Sequence, residues 1–392
     1  MTIKRKHFTN VVLAFLIISC VQAQDKSNTK SDYETIGVVN DLPSFTNKVK
    51  GRLDFPASWL SGNYSNFNSW RKEAKQIVFA SFLAKPPDAP FKPVVIGSED
   101  RGSYTAKKIV LNITADSRIL GYLLIPKGEG PFPAALLLHD HGAKFDIGKE
   151  KVIRPFGVSG EVVKSSEEWV VKYYGGKFIG DELAKKGYVC FATDALNWGD
   201  RGGAGYEGQQ SLASNLLNLG MSYAGLIAYE DINAAKFLSA VPDVDSKKIA
   251  SVGFSMGSFR AWQLAAMSDD ISAAVAISSI STTAGSMSVG NNKTRGQSSF
   301  TMTHPGLVNY LDYPDVASIA CPKPMLLYNG ENDHLFPVED VKKVYKKMRQ
   351  YWQSQNASAK LETKTWNAKH EFNIQMQTEA FRWLDTQFNK EN

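Results

Sequence analysis

The fold of this chain is indicated most directly by residues 249–260, which read IASVGFSMGSFR. Residues 247–254 predict a short buried strand, and residues 260–267 predict the start of an amphipathic helix. Gly253 and Gly257 flank the serine. Side chains at these two positions would collide with the strand and helix that pack around so sharp a bend. The stretch therefore predicts a nucleophile elbow at Ser255, with an ordinary glycine- and serine-rich turn as the alternative.

The C-terminal third contains two partners for this serine. Residues 325–337 (MLLYNGENDHLFP) predict an apolar strand that ends in a loop containing Asp333. Residues 366–372 (WNAKHEF) place His370 in the loop before the last predicted helix. A serine hydroxyl needs a base to become a nucleophile, and the base needs an acid that fixes its tautomer. Because each residue follows a strand and the chain order is Ser, Asp, His, we predict a catalytic triad of Ser255, Asp333 and His370.

Each of the two partners also has a simpler interpretation. Asp333 alone is typical of a turn or helix cap, and His370 alone is typical of a polar surface position. Glu331 and Glu371 are weaker candidates for the acid, and His334 is a weaker candidate for the base. The occurrence of all three triad residues in order, each after a strand, favours the triad.

An acyl-transfer site also needs hydrogen-bond donors for the oxyanion. The backbone N–H of Met256, directly after the serine, is one candidate. The second is expected in residues 139–145 (HDHGAKF), which follow the predicted strand at 134–139, and Ala143 N–H is our candidate there. His139 and His141 could instead form a metal pair, but alternation along a strand end points them to opposite faces. We therefore predict no metal and no cofactor.

The remaining chain alternates between strands and helices from about residue 133. This rhythm predicts an α/β fold with a doubly wound, mostly parallel sheet, whose strands carry functional groups at their carboxyl ends. Two earlier segments predict an antiparallel pair. The predicted strands are 104–113, 119–125, 134–139, 188–193, 247–254, 273–278, 325–328 and 362–366, and the predicted helices are 69–83, 178–186, 224–240, 338–351 and one from 371.

The triad motifs, together with residues 138–142 (LHDHG), resemble the α/β-hydrolase superfamily. Within it they resemble the dienelactone hydrolase-like and acetyl xylan esterase-like secreted proteins of bacteria. The resemblance covers about residues 104–388 and implies that Ser255 is the nucleophile, His370 the general base and then acid, and Asp333 its orienting group. Dienelactone hydrolases proper use a cysteine nucleophile, so the serine here favours ester hydrolysis.

The N-terminus predicts export. Residues 1–23 combine a basic start with an apolar run at 11–18 and are too short to span a bilayer comfortably, so they are interpreted as a signal peptide. Cleavage before Gln24 predicts a periplasmic or secreted protein without a transmembrane segment. A loose lipobox that ends at Cys20 makes this residue a candidate lipid anchor, in which case the protein is a lipoprotein attached to the outer membrane.

The mature chain is then divided by composition. Residues 24–41 predict a polar tether, residues 42–100 an aromatic-rich N-terminal extension that packs on the main domain, and residues 101–392 the catalytic domain. The aromatic residues of the extension could instead line a sugar cleft. The formal net charge of the whole chain, +6, falls by three with the signal and is dispersed, which argues against nucleic-acid binding.

Three loops bear on the substrate. Residues 196–206 contain Trp198, Arg201 and Tyr206, which with His141 are candidates for stacking a sugar ring and pairing a carboxylate or sulfate. The alternative for Arg201 is an internal network with its neighbour Asp200. The insertion near 145–175 is interpreted as a solvated cap of mixed charge.

The insertion near 281–305 predicts a mobile polar flap, which suits a small acyl group or sugar ester better than a lipid. The favoured function is a secreted serine esterase that acts on small-molecule or oligosaccharide esters. The alternatives are a lyase or dehydratase on uronate-containing oligosaccharides, a serine peptidase, and a non-catalytic sugar-binding lipoprotein.

Overall fold

The computed structural model describes residues 37–203 and 205–388, apart from the side chain of Asn292. The predicted signal peptide at 1–23, Cys20 and most of the tether at 24–41 lie outside the described residues. The chain divides into two compact units at residues 37 and 38, and all the elements below belong to the second unit. No helix in the described part is long and apolar enough to cross a bilayer.

A large sheet dominates the described residues, preceded by a small two-stranded ladder. The ladder consists of β1 (Val38–Val39) and β2 (Leu42–Pro43). The strands of the sheet are β3 (Val94–Asp100), β4 (Tyr104–Asn112), β5 (Arg118–Pro126), β6 (Phe132–Leu138), β7 (Val189–Thr193), β8 (Val244–Phe254), β9 (Ala273–Ile277), β10 (Met325–Gly330) and β11 (Leu361–Trp366).

The order across this sheet is β3-β4-β5-β7-β6-β8-β9-β10-β11. Strands β6 to β11 pair in parallel, whereas β3, β4 and β5 join as antiparallel strands at one edge. The predicted doubly wound, mostly parallel sheet and the antiparallel pair are confirmed, with strand ends that differ by a few residues.

Helices cover both faces of the sheet. They are α1 (Thr46–Lys50), α2 (Phe67–Phe82), α3 (Gly160–Tyr173), α4 (Ile179–Lys185), α5 (Gly205–Asn218), α6 (Tyr223–Ser239), α7 (Met256–Met267), α8 (Thr283–Ser286), α9 (Tyr313–Ser318), α10 (Val338–Ser354) and α11 (Ile374–Gln387). Strand residues alternate between the two cores: Leu136 packs with α2, α6, α7 and α10, and Leu137 packs with α3, α4 and α11.

The N-terminal extension is more closely joined to the fold than its composition indicates. Trp70 on α2 is fully buried, donates its indole N–H to Ala57 O (2.8 Å) and packs against Tyr351 of α10. These contacts make Trp70 part of the core of the main domain. Strand β3, which lies within the predicted extension at 42–100, pairs with β4 as the edge strand of the large sheet.

The insertion near 145–175 is a solvated surface only in part. Charged side chains of α3 such as Lys164 and Glu168 are exposed, but residues 149–151 are buried. The side chains of Lys149 and Lys151 are fully buried, and α3 supplies Trp169 to the core beside them. Three carboxylates surround the Lys149 ammonium, of which Asp194 and Glu150 are buried with it. The prediction of a solvated surface was wrong for residues 149–151, because the acidic partner Asp194 lies 45 residues from Lys149 in sequence.

Candidate active site

The turn at Ser255 has the strained geometry expected of a nucleophile elbow. Its φ of 55° and ψ of −124° place a non-glycine residue in a rarely occupied backbone region. The backbone N–H of Ser255 donates to Ile277 O (2.9 Å), which ties the turn to β9. A Cβ atom on Gly257 would lie 1.8 Å from Leu138 O, and one on Gly253 would lie 2.1 Å from Gly257 O. Both glycines are therefore required for close backbone contact.

The three residues predicted as a triad form one chain of hydrogen bonds. His370 Nε2 lies 2.9 Å from Ser255 Oγ, and His370 Nδ1 lies 2.7 Å from Asp333 Oδ2. The other carboxylate oxygen of Asp333 accepts from the backbone N–H groups of Leu335 (2.9 Å) and Phe336 (3.3 Å). With Asp333 accepting from Nδ1–H, the imidazole presents an unprotonated Nε2 to the serine hydroxyl.

The loops that carry Asp333 and His370 are joined through their backbones. Glu331 N–H donates to Trp366 O (2.7 Å), and Asn332 N–H donates to Ala368 O (3.0 Å). A Cβ atom on Gly330 would lie 2.4 Å from Lys369 O, so only glycine permits this approach. The close packing of the two loops fixes the distance between the carboxylate and the imidazole.

The weaker candidates for the acid and base lie elsewhere. Glu331 accepts from Thr365 Oγ1 (2.9 Å) at the surface, and Glu371 accepts from Asn373 Nδ2 (3.2 Å). His334 is exposed. None of these three residues is hydrogen-bonded to His370 or Ser255 in the described structure.

The loop after β6 forms the opposite wall. His141 Nε2–H donates to Gln209 Oε1 (2.7 Å), and His141 Nδ1 accepts the backbone N–H of Ala143 (3.0 Å). Burial lowers the pKa of His141 to about 3, so its imidazole is neutral at physiological pH. The imidazole stacks on Tyr206 with ring centroids 5.5 Å apart.

These contacts correct the expected oxyanion donor. The Ala143 N–H is already bonded to His141 and is not free to bind an oxyanion. Gly142 and Met256 line the cavity, and the backbone N–H group of each has no hydrogen-bond partner among the described residues. Gly142 has a φ of 55°, and a Cβ atom there would lie 2.1 Å from the Trp169 ring. Gly142 thus replaces Ala143 as the candidate donor on this loop.

A cavity of about 260 Å³ opens between these walls. Both Ser255 and His370 line it, together with aromatic side chains and several serine hydroxyls. The lining residues include Asp140, His141, Gly142, Trp169, Tyr173, Tyr206, Ser281, Ser286, Lys293, Ser298, Met302 and Phe336.

Comparison with known proteins shows the family of this chain. The model of the Abhydrolase family, Abhydrolase_7, matches residues 21–377. The chain belongs to the Abhydrolase family. The resemblance to α/β-hydrolases noted in the sequence is therefore confirmed.

A curated relative and several solved structures are similar to this chain. YtaP of Bacillus subtilis, which carries a provisional hydrolase name, is 26% identical over 289 residues, or 74% of this chain and 90% of YtaP. A Bacteroides fragilis protein provisionally named an acetyl xylan esterase has a TM-score of 0.64 at 18% identity, covering 84% of this chain and 85% of its own. A glucuronoyl esterase from Solibacter usitatus also has a TM-score of 0.64 at 13% identity, covering 86% of this chain and 100% of its own.

Two of the predicted substrate contacts do not reach the abhydrolase cavity. Trp198 is 0% exposed and lies behind the His141 wall, where its indole N–H donates to His141 O (3.3 Å). Arg201 forms a two-point pair with Glu230 (2.5 and 2.8 Å), whereas Asp200 pairs with Lys149. The prediction of a sugar platform was wrong for Trp198 and Arg201. Arg201 has an internal partner, as the alternative predicts, but that partner is Glu230 and not Asp200.

The other two predicted contacts, His141 and Tyr206, do line the cavity. Sequence reasoning missed Gln209, which joins the two sides of the site. Its Oε1 accepts from His141, and its Nε2–H donates to Gln297 O (2.6 Å) in the insertion near 281–305. Gln209 lies on α5, which follows a loop without strong hydrophobic periodicity, so the sequence gives no indication that this side chain joins the two walls.

Metal binding finds no support in the described residues, where no group of three His, Cys, Asp or Glu side chains is arranged to hold an ion. His139 is buried away from the cavity, with Nε2 accepting from Ala195 N–H (3.0 Å) and Nδ1 bonded to Asp140 O (2.9 Å). His139 and His141 therefore have separate partners.

Proposed function

We propose that this chain is an exported serine esterase that cleaves small carboxylic esters, with carbohydrate esters as the favoured class. The observation that carries the proposal is the hydrogen-bonded chain Asp333–His370–Ser255 in the wall of a cavity. The names of the acetyl xylan and glucuronoyl esterases that share the fold point to the same class of substrate. The predicted signal at 1–23 supports export.

In the proposed reaction, Ser255 Oγ attacks the ester carbonyl carbon while His370 Nε2 takes the hydroxyl proton. Asp333 stabilises the resulting imidazolium through the Nδ1–H bond. The carbonyl oxygen becomes an oxyanion, which accepts hydrogen bonds from the N–H groups of Met256 and Gly142. When the tetrahedral intermediate collapses, the C–O bond breaks and His370 gives its proton to the departing alcohol. An acyl-serine remains.

Water then completes the cycle. His370 removes a proton from a water molecule as its oxygen attacks the acyl carbon. The second tetrahedral intermediate collapses with return of the proton to Ser255 Oγ, which releases the carboxylic acid. The cavity of about 260 Å³, with hydroxyl groups at Ser281, Ser286 and Ser298, suits a small polar ester.

The test uses 4-nitrophenyl acetate and a fluorophosphonate probe with the wild type and Ser255→Ala. We expect the variant to lose at least about a thousandfold in kcat and to form no probe adduct, because the nucleophile is absent. Ser258→Ala is the matched control: Ser258 lies one turn further along α7, is buried, and its Oγ has no hydrogen-bond partner among the described residues.

Two outcomes would contradict the proposal. Turnover that survives Ser255→Ala would exclude an acyl-enzyme on this serine. Equal cleavage of 4-nitrophenyl acetate and its amide analogue 4-nitroacetanilide would favour a peptidase over an esterase.

A further inference from the structure

A single lysine on the insertion near 281–305 faces the same cavity as Ser255. Lys293 lines the cavity with Ser255 and His370. Its ammonium lies 4.2 Å from the ring centroid of Tyr313 and 6.0 Å from that of Phe259. Aromatic faces hold a cation in place without neutralising it. The ring contacts therefore fix the position of a positive charge at the cavity.

This charge has no anionic partner among the described residues. Lys293 Nζ forms no hydrogen bond or ion pair there. The carboxylate that influences it most is Asp312. Asp312 Oδ1 is itself used as an acceptor by the backbone N–H groups of Thr283 (2.7 Å) and Tyr313 (2.9 Å).

The other ionisable groups around the cavity do not compensate Lys293. Asp140 accepts from Tyr174 Oη (2.7 Å) and Trp169 Nε1 (3.1 Å) and has Lys151 Nζ 3.8 Å from its other oxygen. Burial lowers the pKa values of both His141 and His304 to about 3, so both are neutral. The cavity consequently keeps one uncompensated positive charge.

Burial lowers the pKa of Lys293 to about 8, and the field of Asp312 opposes this shift only in part. The side chain is thus mainly protonated at neutral pH, and it is only partly exposed to the solvent that normally stabilises an ammonium. Such a group is costly unless an opposite charge meets it. A bound anion would supply that charge.

We propose that Lys293 selects esters that carry a free carboxylate in addition to the scissile ester, such as an acylated sugar acid. The inference rests on the proposed esterase function for turnover, but the recognition of the carboxylate is a binding property of its own. The carboxylate would lie beside the Lys293 ammonium while the ester carbonyl lies at Ser255. The charge adds specificity because a neutral analogue would leave the ammonium unpaired.

The test compares acetyl esters that differ only in charge: 3- and 4-acetoxybenzoate against 3- and 4-acetoxybenzamide. The carboxamide keeps the size and planarity of the carboxylate. We expect wild-type kcat/KM to favour at least one of the benzoates over its amide by roughly tenfold or more. In Lys293→Met this preference should fall by roughly tenfold, and Lys293→Arg should retain part of it.

The matched control is Arg295→Met, which removes a positive charge two residues away on the same segment. Arg295 is exposed and does not line the cavity. Its removal should leave the preference unchanged within about twofold, because a solvent-exposed charge is strongly screened. Near-UV circular dichroism of each variant shows whether it is folded, and Lys293→Gln replaces Lys293→Met if the latter is not.

A binding measurement separates this inference from the esterase proposal. Calorimetry with 3- and 4-acetoxybenzoate and their amides on Ser255→Ala protein, with and without Lys293→Met, measures recognition without turnover. Charge-selective binding that depends on Lys293, with no hydrolysis by the wild type, would uphold the inference and refute the esterase. Equal binding and equal turnover of acid and amide by the wild type, or a preference that survives Lys293→Met, would overturn the inference alone.

Discussion

Replacement of Lys151 by methionine should loosen the loop that carries the candidate oxyanion donor Gly142. Lys151 is fully buried and donates from Nζ to the backbone carbonyls of Asp140 (3.0 Å) and His141 (2.9 Å). The same ammonium lies 5.1 Å from the Trp169 ring centroid. Gly142 directly follows His141, so the two carbonyl contacts restrain the peptide unit that presents its N–H.

The expected loss of unfolding free energy in Lys151→Met follows from the groups that the variant leaves unpaired. Two charge-assisted hydrogen bonds are lost, each about 1.5–3 kcal/mol, and the Asp140 carboxylate loses its nearest buried cation. Methionine keeps most of the apolar contact with the tryptophan rings, which offsets part of the loss. We expect the free energy of unfolding to fall by about 3–5 kcal/mol, as found when one partner of a buried pair is removed.

The effect on activity needs a control that separates loop geometry from stability. Lys323 provides it, because its Nζ also donates to two backbone carbonyls, those of Ala265 (3.0 Å) and Ser268 (2.7 Å), at the far end of α7. Burial lowers the pKa values of both lysines to about 8. Lys323→Met should destabilise the protein without changing kcat, whereas Lys151→Met should lower kcat by roughly tenfold to a hundredfold.

The assay is urea denaturation for stability and 4-nitrophenyl acetate turnover at 25 °C for activity. Turnover is divided by the concentration of sites that react with fluorophosphonate, so that unfolded protein is not counted. If Lys151→Met loses stability but turns over like the wild type per reactive site, the loop does not depend on this lysine. If both variants lose the same kcat, general loosening explains the effect and the assignment of Gly142 fails.

Three further predictions test other parts of the site. Asp333→Asn should lower kcat by roughly a thousandfold to ten-thousandfold, because asparagine stabilises the wrong imidazole tautomer, while Glu331→Gln at the same strand end leaves kcat unchanged. Arg201→Met should cost about 2–4 kcal/mol of unfolding free energy by leaving Glu230 unpaired, without a change in the ratio of benzoate to benzamide turnover. That same ratio should be highest below pH 8 and decline as the pH rises through about 8, because Lys293 then loses its proton. A ratio that stays constant from pH 6.5 to 9.5 would contradict this titration.

The fold and the central residues of the site could be predicted because their signals are local. An apolar strand followed by a glycine-flanked serine is visible within residues 249–260, and parallel strands bring their carboxyl ends to one edge of a sheet. The chain order of Ser255, Asp333 and His370, each after a strand, then predicts that the three residues form a triad. The structure brings these three side chains together at 2.7 and 2.9 Å.

The failures of prediction involve contacts between distant segments. Charged residues such as Lys149 and Lys151 are normally solvated. Only the folded structure shows that Lys149 pairs with the buried Asp194 and that Lys151 donates to the Asp140 carbonyl. Trp198 follows a strand, which predicts a position at the cleft, but its loop turns back beneath His141.

The error at Ala143 has a different cause. A backbone N–H can be assigned to a loop from sequence, but its partner depends on the rotamer of a neighbouring side chain. His141 turns its Nδ1 toward the Ala143 N–H because Gln209 holds the Nε2–H on the other side. The sequence alone does not show that the Ala143 N–H already donates to His141 Nδ1 in the folded protein.

Gln209 also determines how the two walls of the cavity can move. Its carboxamide accepts from His141 on the loop after β6 and donates to Gln297 O on the insertion near 281–305. The Gln209 side chain is fully buried between these two segments. Displacement of this insertion at Gln297 would break a buried hydrogen bond or pull on the group that fixes the His141 tautomer. Both alternatives are costly, so we infer that this part of the insertion and the loop after β6 stay together. The mobility predicted for the insertion is then expected in the stretch around Val289, whose side chain is exposed, and Lys293 remains held against Tyr313.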